Sequence, residues 1–165
     1  MIFRTAAASA LVATLFAAGN AVAQQGIVSE RSISANAALE LATTSLEKCR
    51  ADGYKVTITV LNRHARTAVV VSDDSVNPHT IENSMRKAYT AFTTRAPSGE
   101  MAKRAQPGLG GFMQLERITS IEGGLPIFAG RELIGSVGIS GAPGGDKDAA
   151  CAQAGIDKIA RSLGN

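Results

Sequence analysis

The chain has 165 residues, 45% of them hydrophobic and 19% charged, with a formal net charge of +3. So apolar a composition excludes a disordered chain, and the length suits one domain able to bury a core. Aromatic residues make up only 4%, Trp is absent and no dense Lys/Arg run occurs, which excludes a stacking platform or an electrostatic track for nucleic acid.

The first predicted element is a targeting segment. Arg4 supplies a positive start, Ala6 to Ala18 form an apolar run, and Ala21-Val22-Ala23 has the small-x-small pattern of a signal-peptidase site. Residues 1–23 are therefore expected to be a secretory signal cleaved after Ala23. The run is short for a bilayer span and nothing apolar of membrane length follows. Residues 24–165 are then expected to be one exported domain, periplasmic or secreted, with no membrane insertion once the signal is gone.

After a polar lead-in from Gln24 to Ile33, Ser34 is placed to cap a helix over Ala35–Ala51, with Leu39, Ala42, Leu46 and Cys49 along one face. Asp52-Gly53 ends it. Tyr54 to Leu61 reads as a strand in which Val56, Ile58 and Val60 alternate with Lys55, Thr57 and Thr59. One face is apolar, and the other is wet or packed against something polar. Asn62 to Ala65 makes a turn, and Arg66 to Ser72 returns as a second strand rich in Val.

Asn77-Pro78 opens a second helix running to about Thr94, with Ile81, Met85, Ala88, Tyr89 and Phe92 as its apolar stripe. Ser98 recaps a shorter helix over Gly99–Ala105, and Pro107 to Gly111 is a breaker-rich loop. Three strands are predicted next, at Ile118–Ile121, Leu125–Phe128 and Leu133–Ser140. Gly135 and Gly138 in the last of them signal close backbone approach. The Gly141–Gly145 loop leads to Asp146 as the cap of a final helix, with Ala150, Ala154, Ile156, Ile159 and Leu163 on or near its buried stripe. No β-α-β alternation appears. The pattern predicts an α+β fold with an antiparallel sheet of about five strands and helices packed on it.

Cys49 and Cys151 lie on the first and last long helices, in a chain expected to enter an oxidising space. They read either as a disulfide, which requires Cα atoms within about 7 Å, or as two small buried apolar residues. No spacing suits a structural zinc. A Ser-His-Asp hydrolase has no support either, since Gly-x-Ser-x-Gly is absent and there are only two histidines.

The C-terminal half carries a long Gly/Pro-rich pattern. Gly123-Gly124-Leu125-Pro126-Ile127, Gly130, Ile134 through Gly145 and Asp148 resemble the signature of the GlcG/HbpS-like family, which includes the PduO C-terminal-like domain. Cys151-Ala152, Gly155 and Lys87-Ala88-Tyr89-Thr90-Ala91 match it too. The resemblance implies a profilin-like fold, homo-oligomers, and haem or a related tetrapyrrole as ligand. It departs at the first hairpin, where Asn62-Arg63-His64-Ala65-Arg66 lacks the paired turn glycines of relatives, so His64 inherits no family role. Asp73-Asp74-Ser75-Val76 departs likewise.

Haem needs an axial donor, an apolar slot and cations for its propionates. His79 is the candidate iron ligand, in the first turn of the second helix, where the positive helix end favours the neutral imidazole that binds metal. Met85, Tyr89 and Phe92 are candidates to line a flat cavity, and Arg86, Lys87 and Arg95 to meet carboxylates. A Tyr89 phenolate is a second possible iron donor. Gly144 and Gly145 are candidates to present backbone N–H groups to an anion at the last helix. Each has a plain structural reading as well: a surface His, a core stripe, a tight interface loop. The expected function is an exported haem-binding protein for sequestration, sensing or transfer. An enzyme on haem or a small organic acid, and a ligand-free interaction oligomer, are the alternatives.

Overall fold

The computed structural model describes residues 26–104 and 111–164. The expected signal segment and residues 105–110, with most of the breaker-rich loop, lie outside the described residues. Four helices and a four-stranded sheet make up the frame: α1 (Ala35–Ala51), β1 (Thr57–Asn62), β2 (Thr67–Ser72), α2 (His79–Thr94), the short α3 (Glu100–Arg104), β3 (Gly124–Ala129), β4 (Glu132–Ser140) and α4 (Gly145–Ile159). The sheet is antiparallel throughout, in the order β2-β1-β4-β3. No helix among the described residues is long and apolar enough to cross a membrane.

The sheet has four strands where five were expected. Ile118–Ile121 forms no strand and joins no ladder among the described residues. Its backbone groups are taken by side chains instead: Arg86 donates to Ile118 O at 2.9 Å, Thr119 N donates to Thr90 Oγ1 at 2.9 Å, and Ser98 Oγ donates to Ile121 O at 2.7 Å. A buried backbone group needs a partner but not a strand partner.

α1 and α4 cover one face of the sheet, where Ile58, Val60, Val137 and Ile139 are fully buried. Ser34 Oγ accepts from Ala37 N at 3.2 Å and caps α1 as expected. The buried stripe of α1 is Ala38, Leu41, Ala42, Ser45, Leu46 and Cys49, whereas Leu39 is 51% exposed. Small residues win here because α4 comes close: a Cβ on Gly155 would stand 2.2 Å from Ser45 Oγ and 2.6 Å from Leu41 O. Across this interface Cys49 and Cys151 form a disulfide with Cα atoms 5.6 Å apart. α4 is preceded by Gly144 rather than capped by Asp146, and Ala150 is exposed.

α2 covers the other face, and it does so with its polar side. Thr57 and Thr80 hydroxyls pair at 2.8 Å, as do Thr59 and Ser84, while Ser136 Oγ donates to Ala88 O at 2.8 Å. A Cβ on Gly138 would stand 2.1 Å from Ser84 O, so only glycine admits the helix at this distance. The buried residues of α2 are Thr80, Ser84, Lys87, Ala88, Thr90 and Ala91. Of the expected stripe, Ala88 alone is buried; Ile81 is 52% exposed, and Met85, Tyr89 and Phe92 are half-buried. The apolar stripe of α2 lies off the sheet face, half-buried along Met85, Tyr89 and Phe92 and exposed at Ile81.

In the first hairpin, Asn62 Oδ1 accepts from His64 N at 2.9 Å and from Arg66 N at 3.1 Å. Ala65 is held at φ 54°, the left-handed region that a side chain resists by about 1–2 kcal/mol. Ala65→Gly relieves that strain and loses part of the gain to unfolded-state entropy. The expected outcome is a rise of about 0.5–1 kcal/mol in unfolding free energy by urea denaturation.

Candidate functional site

The structure divides the predicted ligand residues into two groups on opposite flanks of α2. Six residues of helix turn a side chain through roughly 240°, so His79 and Met85 occupy different faces. Arg95 lies roughly 24 Å along the axis from His79, farther than one porphyrin spans. His64 does not line the cleft and is exposed in the hairpin, with Nδ1 3.9 Å from Glu30 Oε2.

The first group surrounds a cleft of about 390 Å³ between the N-terminal half of α2 and the Gly141–Gly145 loop. His79, Gly144 and Gly145 line it, together with Asn83, Ser140 and Lys87. The floor is a buried ion pair. Lys87 Nζ donates to Asp148 Oδ2 at 2.7 Å and to Ile139 O at 2.8 Å. Asp148 Oδ1 accepts from Ala142 N at 3.0 Å, which ties the glycine loop to α4. Burial pushes the Asp148 carboxyl above its usual range, against the downward pull of the Lys87 ammonium. At the wall, Asn83 Nδ2 donates to Ser140 Oγ at 3.0 Å.

The second group is the apolar stripe of α2. Met85, Tyr89 and Phe92 follow one another at helical spacing with Ile81 at the exposed end. Arginines flank it: Arg117 lies over the Tyr89 ring, 5.6 Å from its centroid, and Arg86 is half-buried with its Nε buried and unpaired among the described residues. Arg95 is exposed at the left-handed residue that ends the helix.

Reading the sequence missed Asn83 and Ser140, and took Lys87 as a free cation for ligand carboxylates rather than the partner of Asp148. The two ends of that pair are 61 residues apart and no local pattern joins them. Lys87 lies mid-helix between Arg86 and Ala88, and nothing in that local sequence marks it as buried. Among the described residues no three His, Cys, Asp or Glu side chains gather as a metal site. A haem iron needs only one or two protein donors.

Comparison with known proteins adds four findings. The sequence profile of the family described as "Haem degrading protein HbpS-like" matches residues 33–157. The crystal structure of HbpS is 30% identical with a TM-score of 0.76, and the match covers 80% of this chain and 93% of HbpS. The structure of a PduOC:haem complex is 23% identical with a TM-score of 0.71, covering 78% of this chain and 95% of PduOC, a likeness of fold. An uncharacterised 15.0 kDa protein of Citrobacter freundii is 32% identical over 90 residues, which are 52% of this chain and 63% of that relative.

Proposed function

The chain belongs to the HbpS-like family, and on that premise we propose that it is an exported haem-binding protein that sequesters, senses or transfers the tetrapyrrole. The observation that carries the reading is the apolar stripe of α2. A helix in a small domain ordinarily turns its apolar side to the core; here the polar side packs on the sheet, and Met85, Tyr89 and Phe92 lie half-buried away from it beside Arg86 and Arg117. That surface suits a flat apolar ring, with Arg86 and Arg117 for its propionates. The donor on the same face is the Tyr89 phenol, while His79 opens onto the cleft flank. The haem-bound state of the PduOC relative supports the ligand class.

Haemin titration of residues 24–165, followed by Soret absorbance, tests this. The expected result is a saturable shift, weakened at least tenfold by Met85→Glu, changed in position by Tyr89→Phe and unaffected by His64→Ala. No saturable shift in the wild type sinks the haem reading. Loss in His79→Ala but not in Tyr89→Phe moves the iron to the cleft flank. The family description favours a second reading, haem degradation. Disappearance of the bound Soret band under dioxygen and a reductant reads it out.

Export rests on the targeting pattern of residues 1–23, and the buried Cys49–Cys151 disulfide supports an oxidising compartment. A mature chain starting at Gln24, by intact mass from a periplasmic or culture-medium fraction, is the expected outcome. The proposal includes self-association, which the family resemblance implies; light scattering on a sizing column reads the multiple.

A further inference from the structure

The cleft beside α2 has an excess of hydrogen-bond donors. Lys87 carries three ammonium protons and spends one on Asp148 and one on Ile139 O; the third finds no acceptor among the described residues. Lys87 is 1% exposed and lines the cleft, so that proton is shielded from bulk water. Ser140, 3% exposed, accepts from Asn83 and donates its own hydroxyl proton to no described residue. One amide proton of Asn83 is likewise uncommitted. The N-terminal turn of α4 opens here too, and its first amides have no partner within the helix.

The one buried carboxylate in the cleft is already engaged at both of its oxygens: Asp148 takes Lys87 on one and Ala142 N on the other. A buried donor without an acceptor is costly, so the occupant that completes the site brings acceptor oxygens. Two in a plane, with negative charge, match an ammonium, a hydroxyl and an amide better than a single carbonyl does. The volume of about 390 Å³ holds a molecule of modest size and not a macrocycle.

We propose that the cleft between α2 and the Gly141–Gly145 loop binds the carboxylate of a small organic acid through Lys87, Asn83 and Ser140. The site is separate from the apolar stripe of α2 and stands whether or not that stripe holds haem. A free acid and a haem propionate share this chemistry.

The test is an amide-proton NMR titration of residues 24–165 with sodium lactate, against sodium chloride at equal ionic strength. Saturable shifts confined to Asn83, Ser140, Gly144 and Gly145 are expected, weakened at least tenfold in Asn83→Asp, whose new charge repels a carboxylate. An unchanged melting temperature shows that this variant is folded; Ser140→Ala, expected to weaken binding severalfold, serves in its place if it is not. A second arm uses haemin and its dimethyl ester. Shifts of the same amides with haemin, absent with the ester and with lactate, assign the carboxylate to a propionate. No saturable shift in either arm, or shifts indifferent to Asn83→Asp and Ser140→Ala, overturns the proposal.

Discussion

Lys87→Met is expected to lower the unfolding free energy by about 3–5 kcal/mol at neutral pH, read by urea denaturation. The methionine fills most of the volume but leaves Asp148 as a buried charge whose remaining partner among the described residues is Ala142 N. Breaking one side of such a pair costs far more than the pair contributes, because the surviving ion has lost its hydration and gains nothing in return. The double variant Lys87→Met, Asp148→Asn removes the charge and keeps an oxygen for Ala142, so it is expected to regain most of the loss.

The pH dependence follows from the sign of the Asp148 shift. Burial already holds this carboxyl above its usual range, with the Lys87 ammonium opposing. Without Lys87 the opposition goes and the carboxyl rises further. A carboxyl whose folded value exceeds its unfolded value destabilises the native state as pH climbs from the unfolded value through the folded one. The deficit of Lys87→Met should therefore shrink toward the ordinary carboxylate range and be largest well above it. A deficit that does not vary with pH would point to packing rather than charge.

What could be read ahead of the structure was what local chemistry decides. The Ser34 cap, the Gly53 stop, the Asn62–Ala65 turn and the close approach at Gly138 depend on neighbours within a few residues or on the absence of a side chain. The alternation in β1 even announced a polar partner for its threonines, which Thr80 and Ser84 supply. The face of α2 was misread for a non-local reason. Apolar spacing selects Ile81, Met85, Tyr89 and Phe92, but the flat strip at Gly124 and Gly138 admits only a helix surface of small and hydroxyl-bearing residues. The extra strand at Ile118–Ile121 failed in the same way, because its partners are side chains of α2 and of Ser98. In the site, His79, Gly144 and Gly145 do converge, but the Lys87–Asp148 floor needed the fold to bring it together.

The misreading of α2 has a functional side. A helix laid on its sheet by hydroxyl pairs and an ion pair keeps its larger apolar residues off the sheet, partly exposed on another side. The same helix then serves two surfaces of different chemistry, an apolar stripe between arginines and a polar cleft rich in donors. One surface suits a ring and the other a carboxylate.

Removing the disulfide, as Cys49→Ala with Cys151→Ala, is expected to cost about 4–5 kcal/mol. The two cysteines are 102 residues apart, so the bond closes a loop that takes in both hairpins and α2, and the unfolded chain regains much freedom when it is cut. The chain-entropy account gives about 4.7 kcal/mol for a loop near this length. Two alanines at fully buried positions add a smaller packing loss. The denaturant midpoint should fall steeply while the slope changes little or rises, since the released unfolded state exposes more surface. Reductant added to the native wild type should act slowly, at the pace of unfolding, because neither sulfur is accessible. Fast reduction without loss of structure would show that α1 and α4 separate locally, and that the bond does not hold the core together.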